Sequence, residues 1–151
     1  MDLENRINTD IKQAMMAKDS RKLEALRAIK AALLLAKTSK EAVNGEISDE
    51  AGLKLLQKLV KQRHESAEMY TAGGRTDLAE VEVYQASVIE EYLPKQLGKE
   101  QIRAGLEQII RDTGASGLKD LGRVMGQASK LFAGKADNKV VAELVKELLG
   151  N

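Results

Sequence analysis

The sequence predicts an all-α protein, in which a four-helix, bundle-like N-terminal domain precedes a small three-helix C-terminal domain. Three observations lead to this fold class. Apolar residues recur every three or four positions through most of the 151 residues. Ala, Leu, Lys, Glu and Gln dominate the composition. No stretch shows the alternating apolar pattern of a strand.

Two helices are predicted before residue 40. Apolar residues recur at helical spacing from Leu3 onward, so the first helix covers roughly residues 2–17. Asp19 or Ser20 can cap a second helix that runs through about Thr38, because either side chain can accept a hydrogen bond from the first N–H groups of a helix. The run LEALRAIKAALLLA is apolar nearly all round, so this helix is expected to be the most buried.

Two further long helices are predicted before the single proline. Ser48 opens the third helix, and Gly73 with Gly74 ends it. Thr76 or Asp77 is expected to cap the fourth helix. The apolar residues of the fourth helix repeat at helical spacing and are expected to face inward: Leu78, Val81, Tyr84, Val88 and Tyr92.

Arg63 interrupts the apolar stripe of the third helix. A charged side chain in such a stripe must find a partner or extend to water. If the third and fourth helices form an antiparallel hairpin about Gly74, Arg63 lies near Gln85, with Glu82 one turn away. The pattern therefore predicts a structural contact between Arg63 and Glu82.

Pro94 marks the predicted domain boundary. It disfavours helical geometry at Leu93 and has no N–H to donate, so the fourth helix should end there. The composition also shifts, since eight of the twelve glycines lie from Gly98 onward. We therefore predict domains at residues 1–93 and 94–151. The second domain is expected to hold three helices, at about residues 99–113, 117–132 and 138–149.

The segment LGRVMGQASKLFAGKADNKVV (residues 121–141) combines glycines with basic residues. Ser129 stands where a Walker loop requires its first glycine, and Ala136 stands where it requires Ser or Thr. No β-branched strand precedes the segment. The sequence therefore excludes a nucleotide-binding loop of this type.

The glycines of this segment are interpreted as packing positions. Gly122 and Gly126 lie one turn apart beside the apolar stripe of the sixth helix, where small residues would let a neighbouring helix approach closely. On this interpretation Gly122→Leu would disrupt the fold. Gly134 is expected to stop the sixth helix, and Asp137 is expected to cap the seventh.

No catalytic constellation is present in the sequence. The only histidine, His64, has no second ligand at helical spacing, and Glu90 with Glu91 lies on a highly charged helix face. The chain has no cysteine, and we expect neither a metal site nor a cofactor. There is no secretory signal pattern and no apolar run of about 18 residues, so the expected location is the cytoplasm, without membrane contact.

The net charge is +1, but the basic and acidic side chains are unevenly distributed along the chain. Residues 12–40 carry eight basic and two acidic side chains, and residues 41–93 carry five basic and eleven acidic ones. These two blocks are expected to pack against each other. Residues 94–151 carry ten basic and seven acidic side chains, and this excess has no obvious partner within the chain.

A longer motif resembles a known family. The stretches KQRHESAEMYTAGGRTDLAEVE and IEEYLPKQL are similar to the signature of the YqeY family, also called GatB/YqeY-like, and the glycines of LGRVMG and the GKAD turn match it as well. Gln85 departs from the family pattern, which often has an acid at this position. The residues assigned to the structural motif are Lys61, Arg63, Arg75, Asp77, Glu82, Tyr92 and Pro94.

The resemblance implies kinship with the C-terminal tail of the B subunit of the tRNA-dependent amidotransferase. The family-level label, carbon–nitrogen ligase activity with glutamine as amido-N-donor, belongs to that whole enzyme. Its helical tail is understood to touch tRNA, while the kinase and amidase chemistry lies elsewhere. Because this chain has no stretch similar to the kinase or amidase parts, the resemblance implies binding rather than catalysis.

The leading interpretation is an RNA-binding accessory protein, with tRNA or a tRNA-handling protein as its partner. Its physical basis is the basic, glycine-broken segment 119–139 and the N–H groups at the start of the seventh helix, which favour phosphate. A helical protein–protein adaptor without nucleic-acid binding is the alternative, and a free-standing amidotransferase comes third. The candidate RNA-binding residues are Lys119, Arg123, Lys130, Lys135, Asn138 and Lys139.

Overall fold

The computed structural model describes residues 2–150, which are predominantly helical and contain no strand. The all-α prediction is confirmed. A short 3₁₀ turn at Leu118–Asp120 precedes the sixth helix. The helices are α1 (Asp2–Met16), α2 (Ser20–Lys37), α3 (Asp49–Ala72), α4 (Thr76–Glu90), α5 (Lys99–Thr113), α6 (Leu121–Leu131) and α7 (Asn138–Gly150).

The chain forms two compact units, one ending at Pro94 and the other beginning at Lys95. Helices α1 to α4 belong to the N-terminal unit, and α5 to α7 belong to the C-terminal unit. Each unit has a hydrophobic core of its own. Within residues 2–150, none of the helices has a stretch apolar and long enough to cross a bilayer.

Two of the predicted caps are present in the N-terminal unit. The carboxylate of Asp19 accepts a hydrogen bond from Lys22 N–H at 3.1 Å, and the hydroxyl of Ser48 accepts one from Ala51 N–H, also at 3.1 Å. The cap predicted for α4 is wrong, because Thr76 already lies inside the helix and Arg75 precedes it without a side-chain cap. Asp77 lies in the first turn of α4 instead.

One face of each of the four helices contributes to the core of the N-terminal unit. Helix α2 buries only this face, and Leu34 and Leu35 remain 47% and 73% exposed. The prediction that α2 is the most buried helix is therefore wrong: α2 and α4 each bury four residues, but α2 has 18 residues and α4 has 15. The largest fully buried side chains of this core are Ile7, Leu26, Ile29, Leu33, Leu56 and Ile89.

The C-terminal unit packs α5, α6 and α7 around a smaller core. Phe132, the only phenylalanine, is 5% exposed and lies in this core with residues from all three helices. Helix α6 is shorter than predicted: it ends at Leu131, and Gly134 lies within the following turn with φ +72°. The fully buried side chains of this core are Leu106, Val124, Val141, Leu144 and Val145.

We propose that each unit folds without the other. A fragment that ends at Pro94 is expected to give a helical circular dichroism spectrum and a cooperative melt, because its four helices bury one another. The complementary fragment from Lys95 should be helical but less stable, because a chain of this size buries little surface. A largely unfolded N-terminal fragment, at a concentration where the full chain is folded, would contradict the proposal.

Candidate nucleic-acid interface

The six candidate RNA-binding residues lie on α6, on the turns at either end of it and on the first turn of α7. Lys119 belongs to the 3₁₀ turn, Arg123 and Lys130 belong to α6, and Lys135 lies in the turn between α6 and α7. Asn138 and Lys139 open α7. All six residues are exposed.

The two glycines of α6 do not pack against a neighbouring helix. Gly122 and Gly126 are exposed, and a Cβ atom added at either position would meet nothing within 4 Å beyond the adjacent residues and backbone of its own helix. The packing interpretation of these glycines is therefore wrong. Helix α6 uses its opposite face for the core, where Val124 and Ala128 are buried. Gly122 and Gly126 thus leave bare backbone on the same helix as Arg123 and Lys130.

Hydrogen bonds to its backbone hold the GKAD turn in place. The side-chain amide of Gln96 donates to Gly134 O at 2.8 Å, and Leu97 N–H donates to Lys135 O at 2.9 Å. Lys135 N–H itself donates to Phe132 O at 2.8 Å. The backbone of Lys135 is therefore fixed while its side chain stays exposed. The sequence gives no local signal for Gln96, because 38 residues separate it from Gly134.

Asp120 reduces the positive charge at one end of this surface. Its carboxylate accepts hydrogen bonds from Ser116 N–H and from the Arg123 guanidinium, both at 2.9 Å. The Ser116 N–H and, to a smaller extent, the charges of Arg123 and Lys119 hold the pKa of Asp120 below its usual range. The spacing of three residues between Asp120 and Arg123 is a helical pairing that the sequence analysis missed.

Asp137 occupies the start of α7. Its carboxylate accepts a hydrogen bond from Lys139 N–H at 2.9 Å, and its carbonyl accepts one from Val141 N–H at 3.1 Å. The expected cap is thus present. A phosphate at the same helix terminus would meet this negative charge. Lysine side chains are therefore better candidates for phosphate contact than the N–H groups of α7.

The motif residues of the N-terminal unit form contacts at two places on the α3–α4 hairpin. Arg63 Nε donates to Gln85 Oε1 at 3.1 Å and lies 3.7 Å from Glu82 Oε2, so the antiparallel register predicted from the sequence is present. Near the turn, Arg75 donates two hydrogen bonds to the Asp77 carboxylate, at 3.2 and 3.1 Å. The Arg75 hydrogen bonds lower the pKa of Asp77.

Tyr92 joins the end of α4 to α1. Its side chain is buried, its hydroxyl donates to the carboxylate of Asp10, and the Arg6 guanidinium lies 5.0 Å from the ring centroid. Pro94, two residues further on, is partly buried, and Lys61 on α3 is exposed. These contacts give Tyr92 a structural role, and the sequence offered no signal for its partners on α1.

Comparison with known proteins gives the family and several relatives. Residues 4–149 match a family model described as Yqey-like protein. The altered inheritance of mitochondria protein 41, mitochondrial, of Pyrenophora tritici-repentis is 28% identical over 148 residues, which are 96% of this chain and 80% of that protein.

Two yeast proteins of the same name match over shorter stretches. The Meyerozyma guilliermondii protein is 38% identical over 90 residues, which are 59% of this chain and 45% of that protein. The Saccharomyces cerevisiae protein is 34% identical over 85 residues, which are 56% of this chain and 44% of that protein. The aligned part therefore spans less than half of either yeast relative.

These names contradict the expected cytoplasmic location, because all three relatives are named as mitochondrial proteins. The expectation had relied on the absence of a secretory pattern and of a membrane-spanning run. Such an absence does not distinguish one aqueous compartment from another. The prediction of a cytoplasmic location is therefore withdrawn.

Proposed function

Because the chain belongs to the YqeY family, whose model covers residues 4–149, we propose that it is a non-catalytic accessory protein that binds structured RNA of the tRNA class. The proposed contact surface lies on the C-terminal unit. The observation that carries the proposal is the exposure of all six candidate residues on α6, its flanking turns and the first turn of α7.

The exposed face of α6 supports contact with a phosphate backbone. Arg123 and Lys130 are seven residues apart and therefore point to the same side of the helix. Gly126 lies between them in the sequence and has no side chain, so a ligand can approach the helix backbone there. Phosphate groups are the part of a nucleic acid that lysine and arginine neutralise most directly.

The absence of exposed aromatic rings in this unit favours structured RNA over single strands. Proteins that bind single strands stack bases on aromatic side chains. Residues 95–151 contain one aromatic residue, Phe132, and it is buried. Recognition would then rest on the RNA backbone and on its shape. The resemblance to the tail of the amidotransferase B subunit supports the same ligand class.

The test is the salt dependence of binding to unfractionated tRNA. Replacing Lys130, Lys135 and Lys139 together with Gln should flatten the slope of log affinity against log salt by about two to three units, if the contacts resemble those in duplex nucleic acid. Filter binding over a series of salt concentrations measures this slope. Stability should barely change, because exposed lysines contribute little to it.

A matched triple variant controls for net charge. Lys12, Lys40 and Lys58 are exposed on the N-terminal unit, and their replacement with Gln lowers the net charge by the same three units. This control should retain the wild-type slope. The proposal fails if the wild-type protein binds no tRNA at low salt. It also fails if the Lys130, Lys135 and Lys139 variant shows the same slope of log affinity against log salt as wild type, or if both triple variants flatten this slope equally.

A further inference from the structure

The segment that precedes α5 is bonded to both peptide groups that flank the Cα atom of Lys135. The Gln96 side-chain amide donates to Gly134 O at 2.8 Å, and Leu97 N–H donates to Lys135 O at 2.9 Å. The Gly134 carbonyl belongs to the peptide group before this Cα atom, and the Lys135 carbonyl belongs to the one after it. Because peptide groups are planar, holding both of them fixes the two backbone dihedrals of Lys135. The direction in which its side chain leaves the backbone is thereby fixed as well.

The supporting segment is itself fixed to the C-terminal unit. Leu97 is partly buried and packs against the core of this unit. Gly98 N–H donates to Gln101 Oε1 at 3.0 Å, and Gln101 lies in the first turn of α5. Gln96 therefore extends from a segment that is anchored on its C-terminal side, so its amide can restrain the turn at Gly134.

Lys135 differs from the other two lysines of the proposed RNA surface because it lies in a turn. Lys130 and Lys139 belong to α6 and α7, where helical hydrogen bonds fix the backbone. Gly134 and Ala136 are buried on either side of Lys135, whose side chain is exposed. A lysine in a turn keeps a defined position only if other parts of the chain hold its backbone.

We propose that Gln96 is a positioning residue for contact between Lys135 and the RNA backbone. The inference rests on the proposed function and adds the residue that holds one of its lysines in place. A backbone that is fixed before binding loses less conformational freedom when RNA binds, so the affinity is higher. Gln96 is exposed, so replacing it opens no cavity and the unit stays folded.

Gln96→Met tests this role, because methionine has a similar length but cannot donate a hydrogen bond. In the absence of RNA, the Lys135 amide should exchange with solvent about fivefold faster in this variant, since the turn loses one supporting hydrogen bond. Affinity for unfractionated tRNA, measured by filter binding, should fall about three- to tenfold. Gln108→Met is the matched control. Gln108 is exposed in the same unit, but its amide donates to the Asp112 carboxylate, also at 2.8 Å, so both measurements should keep their wild-type values.

A double variant distinguishes positioning of Lys135 from any other effect of Gln96. Lys135→Gln alone should flatten the slope of log affinity against log salt by about one unit, if the contact resembles one in duplex nucleic acid. Gln96→Met combined with Lys135→Gln should bind tRNA as Lys135→Gln does, because a loosened turn cannot displace a lysine that is absent. If the two substitutions instead weaken binding by independent factors that multiply, Gln96 does not act through Lys135 and the proposal is overturned.

Failure of the proposed function would give a different result. Wild type would then bind no tRNA at low salt, and the role of Gln96 in RNA contact would be wrong with it, even if the Lys135 amide exchanged faster in Gln96→Met. Wild-type binding of tRNA, a flattened slope for Lys135→Gln and unchanged affinity for Gln96→Met would together show that only the role of Gln96 is wrong.

Discussion

The variant Gly105→Leu is expected to remove a large share of the stability of the C-terminal unit. A Cβ atom built at Gly105 would lie 2.6 Å from Cζ and 3.1 Å from Cε1 of Phe132. Phe132 is buried among residues of all three helices, so its ring cannot move aside without disturbing the core. Overpacking of this kind costs about 1–3 kcal/mol, and the upper end of this range is expected for a side chain as large as leucine. A unit of this size has a total stability of only about 3–8 kcal/mol.

Gly126 provides the matched control, because it lies in the next helix with open space around it. Gly126→Leu should leave the unit folded. Gly126→Ala should stabilise it by about 0.5–1 kcal/mol, since alanine favours a helix interior over glycine. Urea denaturation followed by circular dichroism measures both. Equal stability of Gly105→Leu and Gly126→Leu would show that Phe132 does not limit the space at residue 105.

Tyr92→Ala is expected to destabilise the N-terminal unit by about 3–5 kcal/mol. The ring is 4% exposed and belongs to the core, so its removal leaves a cavity. The variant also removes the hydroxyl donor to Asp10 and the ring beneath Arg6. Tyr92→Phe separates these effects: it keeps the ring and should lose about 1–2 kcal/mol, because the Asp10 carboxylate loses a hydrogen bond.

The Tyr92 hydroxyl also predicts how stability depends on pH. Burial and, next, the hydrogen bond to the Asp10 carboxylate raise the pKa of Tyr92 above its ordinary value of 10.0. The folded state therefore favours the neutral hydroxyl. The resulting stability is complete below pH 10 and is lost as the pH rises from there toward the raised pKa.

Urea midpoints between pH 8 and 11 test this dependence. Wild type should lose stability above about pH 10 more steeply than Tyr92→Phe, which has no hydroxyl at this position to ionise. Tyr84→Phe is the control, because it keeps the Tyr92 hydroxyl and its own ring still lies against Arg21. If the urea midpoints of wild type and Tyr92→Phe change with pH in parallel, ionisation of the Tyr92 hydroxyl does not cause the loss of stability.

The helices and the hairpin register could be predicted from the sequence because their signals are local. The bounds predicted for α5, residues 99–113, are those of the structure. The contact of Arg63 with Gln85 and Glu82 followed from counting outward from one glycine turn. Helical spacing, caps and turn residues act within a few positions of the chain, so one sequence contains enough information to place them.

The candidate interface was only partly predictable. Exposure of the six polar and basic residues followed from their position off the apolar stripes. The anchoring of Lys135 by Leu97 could not be inferred, because it joins segments that are distant in the chain. The two glycines of α6 were assigned to packing because spacing alone places them beside an apolar stripe. Only the positions of the neighbouring helices show that they face open space.

The sequence by itself determined which face of each helix is apolar, and the tertiary structure decided how much of that face is covered. Leu35 and Val81 both belong to apolar patterns, yet both are exposed because no neighbouring helix extends over them. Gly105 is crowded because Phe132, from the end of another helix, lies against it. Periodicity reports the direction of a side chain, whereas burial depends on where distant helices begin and end.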